Sequence, residues 1–127
     1  CREAGAKRVV PLKVSGPFHS PMLKTAEEKL EKALQDIEIL NFTIPYVANV
    51  TGDYVTDKAQ VKPLLARQVT SSVRWQQTIE RLLADGADEF VEIGPGRTLS
   101  GFMRKINREV KTVSIDKMED FLNYVNQ

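Results

Sequence analysis

Residues 89–115 read as strand, glycine turn, helix and strand in immediate succession, and this order constrains the fold more than any other feature. Glu89-Phe90-Val91-Glu92-Ile93 has strand character, and Gly94-Pro95-Gly96 turns the chain. A helix follows near Thr98 to Arg108, with Leu99, Phe102, Met103, Ile106 and Val110 on its apolar side. Lys111 to Ile115 gives the next strand, and Met118 to Val125 a closing helix on Met118, Phe121, Leu122 and Val125. Helices alternating with short, buried-type strands imply an α/β fold, with a mostly parallel sheet covered on both faces.

The preceding residues extend the alternation. Arg8 to Val14 is strand-like, with Pro11 favouring an edge or a bulge. From Pro21 to about Glu38, Leu23, Ala26, Leu30, Ala33, Leu34 and Ile37 recur at helical spacing, with Ser20 in a capping position. The other face carries Lys24, Glu27, Glu28, Glu31 and Lys32 and is expected to be solvated. Pro45 to Val50 predicts a strand ending at the turn Thr51-Gly52-Asp53. Two helices follow, at Ala59 to Val69 with Pro63 in the first turn, and at Arg74 to Ala84 with Asp85-Gly86 as its stop.

The 127 residues suffice for one modest domain, and a net charge of +1 gives no global field for nucleic acid. No apolar run approaches membrane-spanning length. The lone cysteine, Cys1, excludes an internal disulfide and any cysteine cluster, so a cytoplasmic setting is expected. One histidine and scattered carboxylates make no metal coordination set. Cys1 to Lys7 reads like the end of a helix, so the chain is expected to be a piece of a longer polypeptide.

Chemistry concentrates at Ser15-Gly16-Pro17-Phe18-His19-Ser20-Pro21, where His19 lies between a strand-like stretch and a helix. Rigid flanking elements suit a proton-transfer group, although a single histidine is often a surface or satisfied core residue. Asn49 ends a strand, either at the edge where open α/β sheets hold ligands or as a turn residue beside Gly52. Gly94-Pro95-Gly96 lacks the spacing of a nucleotide fingerprint and reads best as a tight turn. Arg97, Arg104, Lys105, Arg108 and Lys111 form a basic stretch, either solvated or able to dock an acidic partner.

Five motifs keep their order along nearly the whole chain. They are Gly16-Pro17-Phe18-His19-Ser20, Val47-Ala48-Asn49-Val50-Thr51, Arg67-Gln68-Val69, Val73-Arg74-Trp75, and Glu92-Ile93-Gly94-Pro95-Gly96-Arg97-Thr98-Leu99. Together they resemble the malonyl-CoA:acyl carrier protein transacylase family. The resemblance implies a ping-pong acyl transfer in fatty acid biosynthesis. A serine in a Gly-His-Ser-x-Gly elbow attacks the thioester, His19 is its base, and the backbone carbonyl of Gln68 orients the imidazole. It further implies Asn49 as a polar support near the site and Phe18 as a bulky residue favouring malonyl over methylmalonyl groups. Malonyl-CoA and phosphopantetheinylated acyl carrier protein are the implied substrates, with no other cofactor.

This chain contains no Gly-His-Ser-x-Gly. By resemblance, residues 1 to about 15 end a small ferredoxin-like subdomain. Residues 16–127 are the C-terminal part of a large hydrolase-like subdomain, and the N-terminal half with the serine is a missing partner. The chain alone is therefore expected to be inactive. Two alternatives remain: an acyltransferase domain of a polyketide or multifunctional fatty acid synthase, and a non-catalytic α/β interaction module.

Overall fold

The computed structural model describes residues 1–11 and 14–126. Its elements, in chain order, are α1 (Lys24–Leu34), β1 (Val47–Ala48), β2 (Asp53–Tyr54), α2 (Val61–Gln68), α3 (Trp75–Ala84), β3 (Glu89–Ile93), α4 (Thr98–Ile106), β4 (Lys111–Ile115) and α5 (Met118–Val125). Single 3-10 turns, Pro21–Leu23 and Lys58–Gln60, lead into α1 and α2.

The β3-α4-β4 unit is the parallel crossover that the sequence order requires. Its register runs from Glu89 opposite Lys111 to Ile93 opposite Ile115. Lys111 Nζ lies 2.8 Å from Glu89 Oε1, so the first rung is also an ion pair. Both α4 and α5 pack against β4, and α3 packs on α4. Ile79 of α3 and Met103 of α4 are each only 2% exposed and mark the centre of this half. Here the α/β expectation is met by one parallel pair with its helices.

The other half is built on a hairpin, where β1 and β2 pair antiparallel through the turn 49–52. Ala48, Val50, Val55 and Val61 form its buried cluster, with Ile39, Tyr46 and Leu64 packed against it. Alongside, α1 and α2 pack antiparallel: Thr70, just past α2, meets Glu27 near the start of α1, and Lys62 near the start of α2 donates to the Gln35 carbonyl just past α1.

Element ends depart from the sequence expectation for local reasons. The strand predicted at Pro45 to Val50 shrinks to Val47–Ala48, because the amides of Thr51 and Gly52 both turn back onto the Ala48 carbonyl. The helix expected to reach Glu38 stops at Leu34, after which the chain tightens into i→i+3 bonds from Gln35 and Ile37. The helix expected to reach Arg108 stops at Ile106, because Asn107 is extended and its side chain accepts the amides of Glu109 and Val110. Of the strand predicted at Arg8 to Val14, Arg8–Pro11 and Val14 form no strand, while Leu12 and Lys13 lie outside the described residues.

The stop of α3 follows its sequence signal. Gly86 adopts φ of 92°, its amide bonds to the Leu83 carbonyl, and the Ala87 amide bonds to that of Leu82. This is a Schellman ending, in which glycine takes the left-handed position without a Cβ penalty. Much apolar surface stays uncovered, for example Ile93 at 80% and Met118 at 70% exposure. No helix is long and apolar enough to cross a membrane among the described residues.

Candidate active site

The segment Gly16 to Pro21 sets up the site through its backbone. His19 has φ of 58°, and it is the one non-glycine with positive φ among the described residues. Such a conformation costs of order 1–3 kcal/mol and persists only where its surroundings impose it. Ser20 occupies the position before the first turn as expected, but its hydroxyl donates to the Pro17 carbonyl at 2.8 Å and caps no helix amide. The sharp bend that results aims the imidazole across to α2.

There, His19 Nδ1 lies 2.9 Å from the backbone carbonyl of Gln68. Gln68 is the last residue of α2, where helix carbonyls lack an intrahelical partner and carry partial negative charge. A carbonyl only accepts, so Nδ1 carries the proton in the neutral ring and Nε2 keeps its lone pair. The Gln68 side chain is engaged elsewhere, with Nε2 donating to the Ser71 carbonyl at 3.0 Å. Contact with His19 is therefore through the main chain alone.

His19, Ser20, Pro21, Val50, Thr70 and Arg74 help line an open groove of roughly 430 Å³. Arg67, a surface residue by local sequence reading, also reaches it. Phe18 and Asn49 are not on this lining. Phe18 is 62% exposed and its ring lies over Gly16. Asn49 contributes its carbonyl, which accepts the Arg74 amide at 2.7 Å and ties the β1–β2 turn to the start of α3.

Two carboxylates stand out that local sequence reading passed over. Glu27, assigned there to the solvated face of α1, is 8% exposed. Its Oε2 accepts from Thr70 Oγ1 at 2.6 Å and its Oε1 meets Lys24 Nζ at 2.9 Å. The hydrogen bond from Thr70, then that from Lys24, holds its carboxyl below the ordinary value. The spacing Leu23, Glu27, Leu30, Leu34 is itself helical, so Glu27 sits in the apolar stripe, and that was the available signal.

Glu92 is the second. Its carboxylate accepts the amides of Leu99 and Ser100 and the Ser100 hydroxyl, at 3.0, 2.8 and 2.6 Å. Ser100 Oγ in turn lies 2.7 Å from Ser114 Oγ on the neighbouring strand. The Ser100 hydroxyl first, then its amide, holds the Glu92 carboxyl below its usual range. A side-chain carboxylate thus occupies the N-terminal amides of α4, and Gly94-Pro95-Gly96, with φ of 138° and 88° at its glycines, serves as the tight turn. In the basic stretch, Lys111 pairs with Glu89, and Lys105 Nζ lies 5.8 Å from the Phe102 ring centroid.

No family model matches the chain. It is 45% identical over 118 residues to the malonyl CoA-acyl carrier protein transacylase of Bacillus subtilis, a match covering 93% of this chain and 37% of that protein. The fold superposes on a crystal structure of MCAT from Streptococcus pneumoniae with a TM-score of 0.91, at 38% identity, covering 98% of this chain and 41% of that one. It also superposes, with a TM-score of 0.88 and 32% identity, on a malonyl-transacylase solved with its holo acyl carrier protein of a type II polyketide system, covering 99% and 41%.

The parallel crossover, its helices and the imidazole–carbonyl pair therefore form part of an α/β, hydrolase-like acyltransferase fold. Over almost its whole length the chain is similar to malonyl CoA-acyl carrier protein transacylases. It spans about two fifths of the length of the relatives it matches.

Proposed function

We propose that this chain supplies the general base of a malonyl-CoA:acyl carrier protein S-malonyltransferase acting in fatty acid biosynthesis, and that a serine outside the chain supplies the nucleophile. The observation that carries the reading is the 2.9 Å contact between His19 Nδ1 and the Gln68 carbonyl. It fixes the tautomer in which Nε2 can accept a proton, without requiring a charged third member.

In the first half-reaction His19 Nε2 takes the serine proton as the serine oxygen attacks the malonyl thioester carbonyl. The resulting imidazolium returns that proton to the departing CoA sulfur. In the second, the same nitrogen takes the proton of the carrier-protein thiol, which attacks the malonyl-serine ester, and then gives it to the departing serine oxygen. Each cycle leaves the ring unchanged, and the only substrates are malonyl-CoA and phosphopantetheinylated acyl carrier protein. On this reading the setting is cytoplasmic, residues 1–15 close a small ferredoxin-like subdomain, and residues 16–127 belong to the large one. Phe18 and Asn49 border the substrate once the remaining part of the enzyme is in place. Arg97, Arg104, Lys105 and Arg108 are the surface for the acidic carrier protein.

Intact-mass spectrometry tests the reading. This chain is purified alone and with a polypeptide carrying the serine elbow, then exposed to malonyl-CoA. A malonyl adduct on the complementing polypeptide, lost with His19→Ala, is the expected result. No adduct in either sample, or an adduct on this chain alone, contradicts it.

A further inference from the structure

Two long-range polar contacts join the His19 segment and α1 to the C-terminal end of α2. One is His19 Nδ1 to the Gln68 carbonyl, and the other is Thr70 Oγ1 to Glu27 Oε2, a gap of 43 residues closed at 2.6 Å. Glu27 lies on the first turn of α1, eight residues beyond His19, and Thr70 lies two residues beyond Gln68. The second contact therefore joins the same two stretches of chain as the first. We propose that Glu27 and Thr70 form a half-buried clamp that positions His19 against the Gln68 carbonyl and so selects the imidazole tautomer.

Three features support the clamp. Glu27 is 8% exposed, and a carboxylate this buried persists only when both oxygens are satisfied, here by Thr70 and Lys24. His19 holds a left-handed backbone that costs free energy, so contacts beyond its own segment help to hold it in place. The Thr70 amide donates to the Arg67 carbonyl at 3.3 Å while its hydroxyl donates to Glu27, so one residue ties the last turn of α2 to α1. At the far end of the helix pair Lys62 Nζ donates to the Gln35 carbonyl at 2.8 Å, so polar contacts tie α1 to α2 at both ends. Glu27 is not on the lining of the His19 groove, and the Thr70 hydroxyl that borders it is donated to Glu27, so both are assigned as positioning residues. The inference rests on the reading of His19 as base, but its test separates the two.

His19 is the only histidine, so its ring nitrogens give an unambiguous NMR signal. The tautomer is read from long-range 15N–1H spectra at about pH 9, where ordinary imidazoles are neutral. The full chain is expected to show the Nδ1–H form. Thr70→Val and Glu27→Gln are each expected to lose that dominance, moving toward Nε2–H, while the backbone amide spectrum stays dispersed. Thr70→Ser is expected to restore it. If the unsubstituted chain already favours Nε2–H, the base reading and the clamp both fall. If it holds Nδ1–H and Thr70→Val holds it equally, the clamp alone falls. Glu27→Gln risks the fold and Thr70→Val leaves one Glu27 oxygen without its donor, so a dispersed amide spectrum for Thr70→Val, with recovery in Thr70→Ser, keeps the test decisive.

Discussion

Among the glycines Gly52 has the least room for a side chain, and Gly52→Ala offers a test with a magnitude set by the structure. Its φ is 69°, and a Cβ there would stand 3.0 Å from the Cβ of Gln77 and 3.3 Å from that of Arg74. The left-handed conformation costs alanine about 1–2 kcal/mol. Forcing a methyl against two β-carbons on and next to α3 adds about 1–3 kcal/mol of overpacking. The sum is about 2–5 kcal/mol, which for a chain of this length lowers Tm by roughly 8–20 °C. Gly52→Asn separates the contributions: asparagine tolerates the left-handed region but keeps the Cβ contact, so it should recover about 1 kcal/mol. Thermal and urea unfolding followed by circular dichroism give both values. A change within about 0.5 kcal/mol for Gly52→Ala would refute the packing argument, and equal losses for alanine and asparagine would refute the dihedral part.

Other expectations follow from the site and its surroundings. Glu92 has its carboxyl held low in the fold, so it stabilises the protein above its ordinary value of 4.5 and loses that contribution as pH falls through the lower folded value. Tm measured against pH should therefore fall more steeply in acid for the native chain than for Glu92→Gln, and parallel curves would contradict this. Phe18→Ser should relax discrimination against an α-methyl substituent, an effect of about 1–3 kcal/mol read from competing malonyl and methylmalonyl thioesters in the complemented enzyme. Unchanged selectivity counts against a role for this exposed ring. Charge reversal at Arg104 and Lys105 should raise the apparent KM for acyl carrier protein and weaken its salt dependence. Identical kinetics would return these residues to the solvated face.

The regular elements were legible in the sequence wherever one face had to be buried. The β3-α4-β4-α5 order, the α3 stop at Asp85-Gly86 and the place of Pro63 follow from periodicity and turn chemistry, and the structure keeps them. Boundaries were less legible because single side chains decide them, as Asn107 does when it ends α4. The strand expected at Pro45 to Val50 is mostly loop because turn amides claim the Ala48 carbonyl. The two carboxylates, Glu27 and Glu92, are illegible locally for a physical reason. A charge is normally assigned to solvent, and only the partner, Thr70 for the buried Glu27 or Ser100 for the half-buried Glu92, makes its withdrawal tolerable. Those partners lie 43 and 8 residues away, beyond any local pattern.

The claim that His19 acts as a base oriented by a main-chain carbonyl is tested most directly by malonyl transfer from malonyl-CoA to acyl carrier protein, measured on the complemented enzyme with His19→Ala and with Gln68→Ala. The account predicts a loss of about 10²–10⁴-fold or more for His19→Ala, and a much smaller loss for Gln68→Ala, because the carbonyl survives that substitution. Equal losses in two folded variants, or full activity without the imidazole, would contradict it.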